Sequence, residues 1–545
     1  MKKLILIPVV LFFCTAFGQV NITLLGHLAY PGLSLANIGG YVDHLGNEYA
    51  LVGYQNGLDI VDVTIPTAPV VRFTVPGPTS EWREVKTYRD YAYVTTEDGT
   101  IGLQIVNLSN LPVSINTTTY KGDSTINGQI NTIHALHIDT ANAMLYLYGS
   151  NISTGANRNG YPLFISLANP ASPHYVGHFI VPTGLAYVHD GYVQNDTAYF
   201  CHIYQPGFVS IVNLADKSNP VEIAPHIATP NTFPHNTWLT ADHKTLLTTD
   251  EVSNSYQTAY DISDLNTPTE ISRFQTGPGS GSIVHNVHVV PGDFAVTSWY
   301  TRGVIISDES RPHNPVEVGH YDTYPAGNGN GFNGDWGVYP FLPSGNLVVS
   351  DINNGLFVLG PTYVHACWLE GIVTDSITGL AIYNASVVLM SSPTVTRTSN
   401  ITGNYYSGLL TAGTYSVVAS KTGYVTKTIT GVTLTNGLLT PLDIQLVPVN
   451  ASVGEIPSSA EQLVAEGNPF HGSTFVSYSL TDDLRNHSTN ELVVSDILGN
   501  VVERYALSSS SGKISVGEKL SAGVYFLSLM NEQGKSSTLK IVKAQ

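Results

Sequence analysis

Short apolar runs alternate with polar turns along the whole chain, and one run keeps returning through the first two-thirds. Gly57-Leu58-Asp59-Ile60-Val61-Asp62-Val63 has copies at 102–108, 161–167, 208–214, 257–263, 303–308 and 355–359. Most copies lead into an Asn or Asp and a Pro-containing turn, as in Asn169-Pro170-Ala171-Ser172-Pro173. With Ile60, Ile105, Ile165, Ile211, Tyr260, Ile305 and Phe357 as equivalents, the steps are 45, 60, 46, 49, 45 and 52 residues. A period of about fifty residues carried by strands predicts a propeller, each repeat supplying one blade.

Within a repeat the alternation predicts four strands. In the second copy these are 84–88, 91–95, 103–108 and a short strand after the Pro, separated by Arg89-Asp90 and Glu97-Asp98-Gly99. The last copy stops at Gly360-Pro361 without a fourth strand, while the segment Leu25-Gly26-His27-Leu28 stands alone near the N-terminus. That segment matches the fourth strands at Val176-Gly177-His178-Phe179 and Val318-Gly319-His320-Tyr321. Residues 22–28 are therefore expected to complete the unit begun by 335–359 and remove a free sheet edge; the alternative is an unpaired strand. A proline at Leu25 is expected to remove a ladder hydrogen bond. The polar, Gly-rich stretch 151–160 is expected to be a surface loop.

Composition narrows the class. The 545 residues exceed one core, only 12% are charged, and Gly (50) and Tyr (31) are abundant, as in turn-rich β proteins. A net charge of −18 argues against nucleic-acid binding and is compatible with cation binding or plain solubility. Lys2-Lys3, the apolar run 4–13 and Ala16-Phe17-Gly18 read as a signal peptide over 1–18, too short to span a membrane. Cys14 raises a lipoprotein alternative, against which stands the bulky Phe13 before it. No transmembrane segment is expected in the mature chain. Cys201 and Cys367 fall in different expected domains, so no disulfide framework follows.

Beyond 361 the pattern shortens. Gly371-Ile372-Val373-Thr374-Asp375, Thr378-Gly379, Gly403-Asn404-Tyr405-Tyr406 and Gly413-Thr414-Tyr415-Ser416-Val417 suggest a β-sandwich over 366–448. As a set they resemble the carboxypeptidase regulatory-like domain, which implies a non-catalytic accessory module. Residues 449–466 read as a linker. Asn468-Pro469-Phe470, Leu492-Val493-Val494-Ser495-Asp496, Gly523-Val524-Tyr525-Phe526-Leu527 and Lys540-Ile541-Val542-Lys543 closely resemble the C-terminal sorting domain of the type IX secretion system, over 467–545. That resemblance implies the secretion machinery as a partner, passage through the periplasm, and release or display at the outer-membrane surface with removal of the domain. The repeats, with Glu81-Trp82-Arg83-Glu84, His235-Asn236-Thr237-Trp238 and Asp335-Trp336-Gly337-Val338, resemble the choice-of-anchor B family, whose units are LVIVD repeats, over 19–361. It implies architecture and address and no chemistry. The expected fold is all-β: a seven-bladed β-propeller followed by two small β-sandwich domains.

Candidate chemistry gathers where the first strands begin. Asn37, Glu84, His134, His189-Asp190, His235-Asn236, His285-Asn286 and Asp335-Trp336 recur in the same rhythm as the apolar copies, and in a propeller these starts converge on one face. The second strands end on that face and add Glu97-Asp98, Asn151, His202, Asp250-Glu251, Trp299 and Asp351, with Asp250-Glu251 read as a solvated loop in preference to a paired carboxylate. Three readings stay open: residues that cap strands and bond neighbouring blades, a mouth for a small polar molecule, glycan or peptide, and a metal or hydrolase site. The candidate ligand-binding residues are Glu84, His134, His189, Asp190, His235, Asn236, His285, Asn286, Asp335 and Trp336. His134, His189, His235 and His285 are the candidates for a divalent metal. His134 with His137, and His285 with His288, are expected on opposite strand faces and so not as chelating pairs. His-Glu-x-x-His, Gly-x-Ser-x-Gly, Walker and Rossmann patterns do not occur. The reading favours an extracellular binding module; the alternative is a secreted hydrolase or metal-dependent enzyme.

Overall fold

The computed structural model describes residues 19–126, 129–152, 160–181, 187–327, 329–449, 462–480, 490–531 and 534–545. The expected signal peptide, most of the 151–160 insertion and most of the expected linker lie outside them. Among the described residues every regular element is a strand, and the chain forms two compact units, 1–448 and 449–545.

Seven sheets of successive antiparallel strands fill most of the first unit. They cover 35–76, 85–120, 135–178, 190–228, 234–274 and 287–321, and the seventh joins 335–361 to the N-terminal strand Ile22–Leu28. The recurring apolar run is the third strand of each sheet, and its burial explains its sequence. Leu58 and Ile60 pack with Val85, Val94 and Val106 of the second sheet. Val61, on the opposite face, packs with Leu356 and Val358 of the seventh. A strand covered on both faces needs apolar residues at odd and even positions alike, so the motif is a run rather than an alternation. The opening strands of the first six sheets lie side by side in order, and Asp335–Tyr339 of the seventh packs on Phe294–Ser298 and on Leu35–Val42.

The N-terminal strand joins Gly355–Pro361 as expected, from Ile22 opposite Pro361 to Leu28 opposite Leu356. Val20 also exchanges two backbone hydrogen bonds with His320 of the sixth sheet, at 2.8 and 3.0 Å. One expectation changes. The register skips between Leu24 and Gly26, so Leu25 is the extra residue of a bulge and has no ladder partner for a proline to remove. The Gly-His motif of the outer strands also has a steric cause. A Cβ on Gly26 would lie 2.0 Å from the Pro66 carbonyl oxygen, and one on Gly177 would lie 2.1 Å from that of Lys217. In both cases the turn of the next sheet's repeat presses on the outer strand, where only glycine leaves room.

Residues 367–446 build two further sheets around one core that contains Leu369, Val387, Tyr405, Val417 and Ile444. This part is fused to the seven sheets rather than tethered to them. Ala366 and Trp368 lie in the same cluster as Val316, Val318 and Leu359. The Trp368 indole N–H donates to the Asn314 carbonyl at 3.1 Å. Glu370 takes two hydrogen bonds from Arg311, both 2.8 Å, and one of 3.0 Å from Asn314.

The second unit has a three-stranded and a four-stranded sheet around Phe470, Val476, Leu492, Leu527 and Ile541. Its first strand, Gln462–Ala465, begins inside the stretch read as a linker. It pairs with Thr474–Ser479, which gives the segment backbone partners that composition alone did not suggest. Cys201 and Cys367 are buried and free.

Candidate functional site

At three opening strands the histidine is carried inward by a backbone tied at that point to the second strand. The amide of His134 donates to Tyr148 O at 3.1 Å, that of His189 to Cys201 O at 2.9 Å, and that of His285 to Ser298 O at 2.9 Å. With the ladder fixed, the side chains turn into the space enclosed by the opening strands. Four imidazoles from four successive sheets meet there in series. Ring centroids are 4.2 Å apart for His134 and His189, 4.4 Å for His189 and His235, and 4.2 Å for His235 and His285. His189, His235 and His285 are 7, 6 and 2% exposed.

They line a polar cavity of about 40 Å³ together with Asn37, Glu84, Asp190, Glu251, Asn286 and Trp336. That is room for a hydrated ion or a few waters. A second cavity of about 20 Å³ lies beside it and shares Asn37, Glu84, Asp190 and Asn286. Asn236, Lys86, His137, Tyr192, Trp238 and His288 line only the second. His137 and His288 therefore do not chelate with His134 and His285, as their spacing implied, but they do face the enclosed space. The shared layer is a hydrogen-bonded waist: Asn236 donates to Asp190 at 2.7 Å, Lys86 donates to Glu84 at 2.5 Å, and Asn37 also donates to Glu84.

Asp335 stands apart. It is fully buried and lines neither cavity. Burial and then Asp351, opposite it in the ladder, hold its carboxyl well above the ordinary range. Of the second-strand ends, only Glu97 and Glu251 reach the imidazoles. Asp250 instead accepts from Thr229 Oγ1 (2.5 Å) and the amides of Asn231 (2.8 Å) and Phe233 (3.2 Å). This staples the loop 229–233 and leaves the next side chain, Glu251, aimed inward. The solvated-loop reading of Asp250-Glu251 is thus corrected for both residues. The signal in the sequence was position: Glu97 and Glu251 both follow the second strand of their sheets. Trp299 is fully buried, and His202 bonds Ser210 Oγ at 2.9 Å, so both serve the core.

The electrostatics follow from burial. Burial, then the neighbouring imidazoles, push His189 and His235 well below the usual histidine range. Burial takes His285 down to about 3. Burial raises Glu251 to about 7 against the Tyr300 hydroxyl, which donates to it at 2.6 Å. Burial and then Glu84 raise Asp190 to about 6. At neutral pH these three imidazoles are uncharged and carry lone pairs. For His285 the tautomer is set: Nδ1 donates to the Trp336 carbonyl at 2.5 Å, and a carbonyl can only accept. The His285 lone pair is therefore on Nε2, 3.6 Å from Glu251 Oε1.

Comparison with known families supplies what this geometry does not. Residues 369–447 match the carboxypeptidase regulatory-like domain, and residues 44–76 match the LVIVD repeat. Residues 468–544 match the secretion system C-terminal sorting domain. The chain is an exported protein. This sorting domain, of the type IX system, addresses it to the cell surface or the medium and makes the secretion machinery its partner. No curated protein matches the chain. Among the described residues no helix is long and apolar enough to cross a membrane. Deleting 467–545 is expected to leave the protein in the periplasm, read by fractionation and immunoblotting; surface delivery of the truncated chain at the normal level would refute the assignment of the signal to this segment.

Proposed function

We propose that this exported protein is a surface or secreted binding module. Its seven sheets are the blades of a β-propeller, and the mouth formed by His134, His189, His235, His285 and Glu251 takes a small polar ligand or one polar tip of a larger one. What carries the reading is the convergence of four imidazoles and a carboxylate, from four sheets plus the loop after 250, on one cavity. In this reading Glu84, Asp190, Asn236 and Asn286 form the polar floor, and Trp336 and the half-exposed Trp82 form an apolar rim over which a sugar or side chain can lie. The size of the cavity favours small groups over an inserted glycan chain. None of the described residues lining the mouth is a Ser, Thr, Cys or Lys, the usual nucleophiles of covalent acyl transfer, which supports binding over that kind of hydrolysis.

The test is a thermal-shift panel on the full-length chain with hexoses, amino acids, dicarboxylates and dipeptides. A probe at about 100 times its Kd stabilises by about 2.7 kcal/mol. The expected result is at least one saturable shift that is lost in His235→Ala/His285→Ala and weakened in Trp82→Ala, whose rim position spares the fold. The reading is overturned if no probe class shifts the transition, or if the shift persists in both variants.

A further inference from the structure

We propose that the mouth is a divalent transition-metal site in which His189, His235 and Glu251 are the protein ligands and an open position faces the cavity. The proposal rests on the mouth being the binding site and names what binds there first.

Four observations support it. One donor atom from each of His189, His235 and Glu251 lies within 4.8 Å of the other two. A tetrahedral ion with donors at about 2.0–2.2 Å needs them about 3.4 Å apart, so each side chain has to close by less than about 1 Å. Second, Nδ1 of His189 and Nδ1 of His235 are buried with no hydrogen-bond partner. A buried imidazole nitrogen without a partner is destabilising, and two on adjacent rings in one polar cavity call for a common partner that accepts lone pairs. Third, the tautomer of His285 sets a lone pair 3.6 Å from Glu251 Oε1, and His235 Nε2 is 3.8 Å from Glu251 Oε2. The His285 lone pair and the Glu251 carboxylate, facing one another at this distance, are stabilised by a cation or a proton between them; with the His235 lone pair on Nδ1, its Nε2–H faces the same carboxylate as a donor. Fourth, an outer partner of one ligand is in place: Tyr300 donates to the Glu251 carboxylate at 2.6 Å. Such a contact fixes the rotamer of a coordinating group.

The donor set selects the ion. Two imidazoles and one carboxylate, with no thiolate near, suit Zn2+, Co2+, Ni2+, Cu2+ or Fe2+ and disfavour Ca2+ and Mg2+, which take oxygen donors. Three protein donors leave a coordination position for a ligand atom entering from the cavity. The organic ligand of the binding module would then be one that offers a carboxylate, hydroxyl or amine to the metal.

The experiment is isothermal titration of Zn2+ into the chelator-stripped full-length chain, with Co2+ absorption in the visible as a second readout. About one Zn2+ per chain is expected. His189→Ala and Glu251→Gln should each weaken binding by at least about 100-fold, at or beyond the loss typical of an outer partner. His137→Ala, in the second cavity, should leave it unchanged. If the ligand variants do not fold, X-ray absorption of the Zn2+-loaded wild-type chain decides, with at least two imidazole ligands and no sulfur expected. Absence of Zn2+ and Co2+ binding, undiminished affinity in both ligand variants, or a scattering shell without imidazole overturns the proposal. A mouth-dependent thermal shift with an organic probe in the stripped protein would, in those cases, leave the binding-module reading standing, and its absence would remove both.

Discussion

Removing residues 20–28 is expected to unfold the seventh sheet and make the protein self-associate. The third strand Gly355–Pro361 would lose its whole outer partner and present an open edge, a template for pairing with another chain. Burial is lost with it. Ile22 is 1% exposed and packs with Val318, Leu359 and Trp368, while Leu25 and Leu28 pack against the cluster of Val61, Leu356 and Val358. Ile22→Ala alone is expected to cost about 2–5 kcal/mol, the range for deleting a buried Ile. Gly26→Val should be comparably severe, because its Cβ would meet the Pro66 carbonyl at 2.0 Å and neither backbone can yield without moving a turn. Thr23→Ala, on the exposed side, is the neutral control. Denaturant melts and sedimentation velocity read both effects; a monomeric deletion variant with an unchanged transition would mean that the strand is dispensable.

The second large effect is expected at Trp368 and Glu370, where residues 366–448 dock on the turn 308–314. Trp368→Ala should cost about 3–5 kcal/mol by removing a fully packed indole and its bond to Asn314. Glu370→Gln should cost about 2–4 kcal/mol, because it leaves the Arg311 guanidinium and its neighbours without their shared carboxylate. The same contact predicts acid sensitivity. Burial pushes the Glu370 carboxyl up, but the hydrogen bonds from His313, Arg311 and Asn314 outweigh it and hold the group down at about 2. The folded state thus binds the proton less readily than the unfolded chain, whose carboxyl titrates near 4.5. The contribution is fully present above pH 4.5 and is lost as the pH falls from there towards 2. Calorimetry should show the wild-type transition falling towards that of Glu370→Gln over this interval. Equal acid sensitivity in the variant would place the titrating group elsewhere.

Much of this protein is legible in its sequence. The third-strand run marks where each of the seven sheets lies, because a strand buried on both faces leaves no freedom for polar residues at either parity. The orphan Leu25-Gly26-His27-Leu28 could be paired with 355–361 because it shares the Gly-His motif of two other outer strands, and Gly26, like Gly177, answers the pressure of a neighbouring turn. The sorting domain is equally plain, since a segment recognised by its sequence must display that sequence. The imidazoles at the strand starts were found by rhythm alone, and the structure brings His134, His189, His235 and His285 to one cavity.

Only the tertiary structure decided what those side chains face. Glu251 and Asp250 are neighbours with the same chemistry, yet one staples a backbone loop and the other enters the mouth, and strand parity separates them only once the end of the second strand is known. Asp335 recurs in the rhythm of the histidines, but it pairs with Asp351 as Pro234 pairs with Asp250, and Trp336, one residue on, stands where His235 does and lines the cavity. His137 and His288 line a second cavity that a period-two argument assigns to no site. The bulge at Leu25 and the fusion of Trp368 to the sixth and seventh sheets belong to the same class. Periodicity reports which residues recur, and it is blind to register shifts of one residue and to contacts between elements far apart in the chain, which are set by packing against neighbours that the local sequence does not contain.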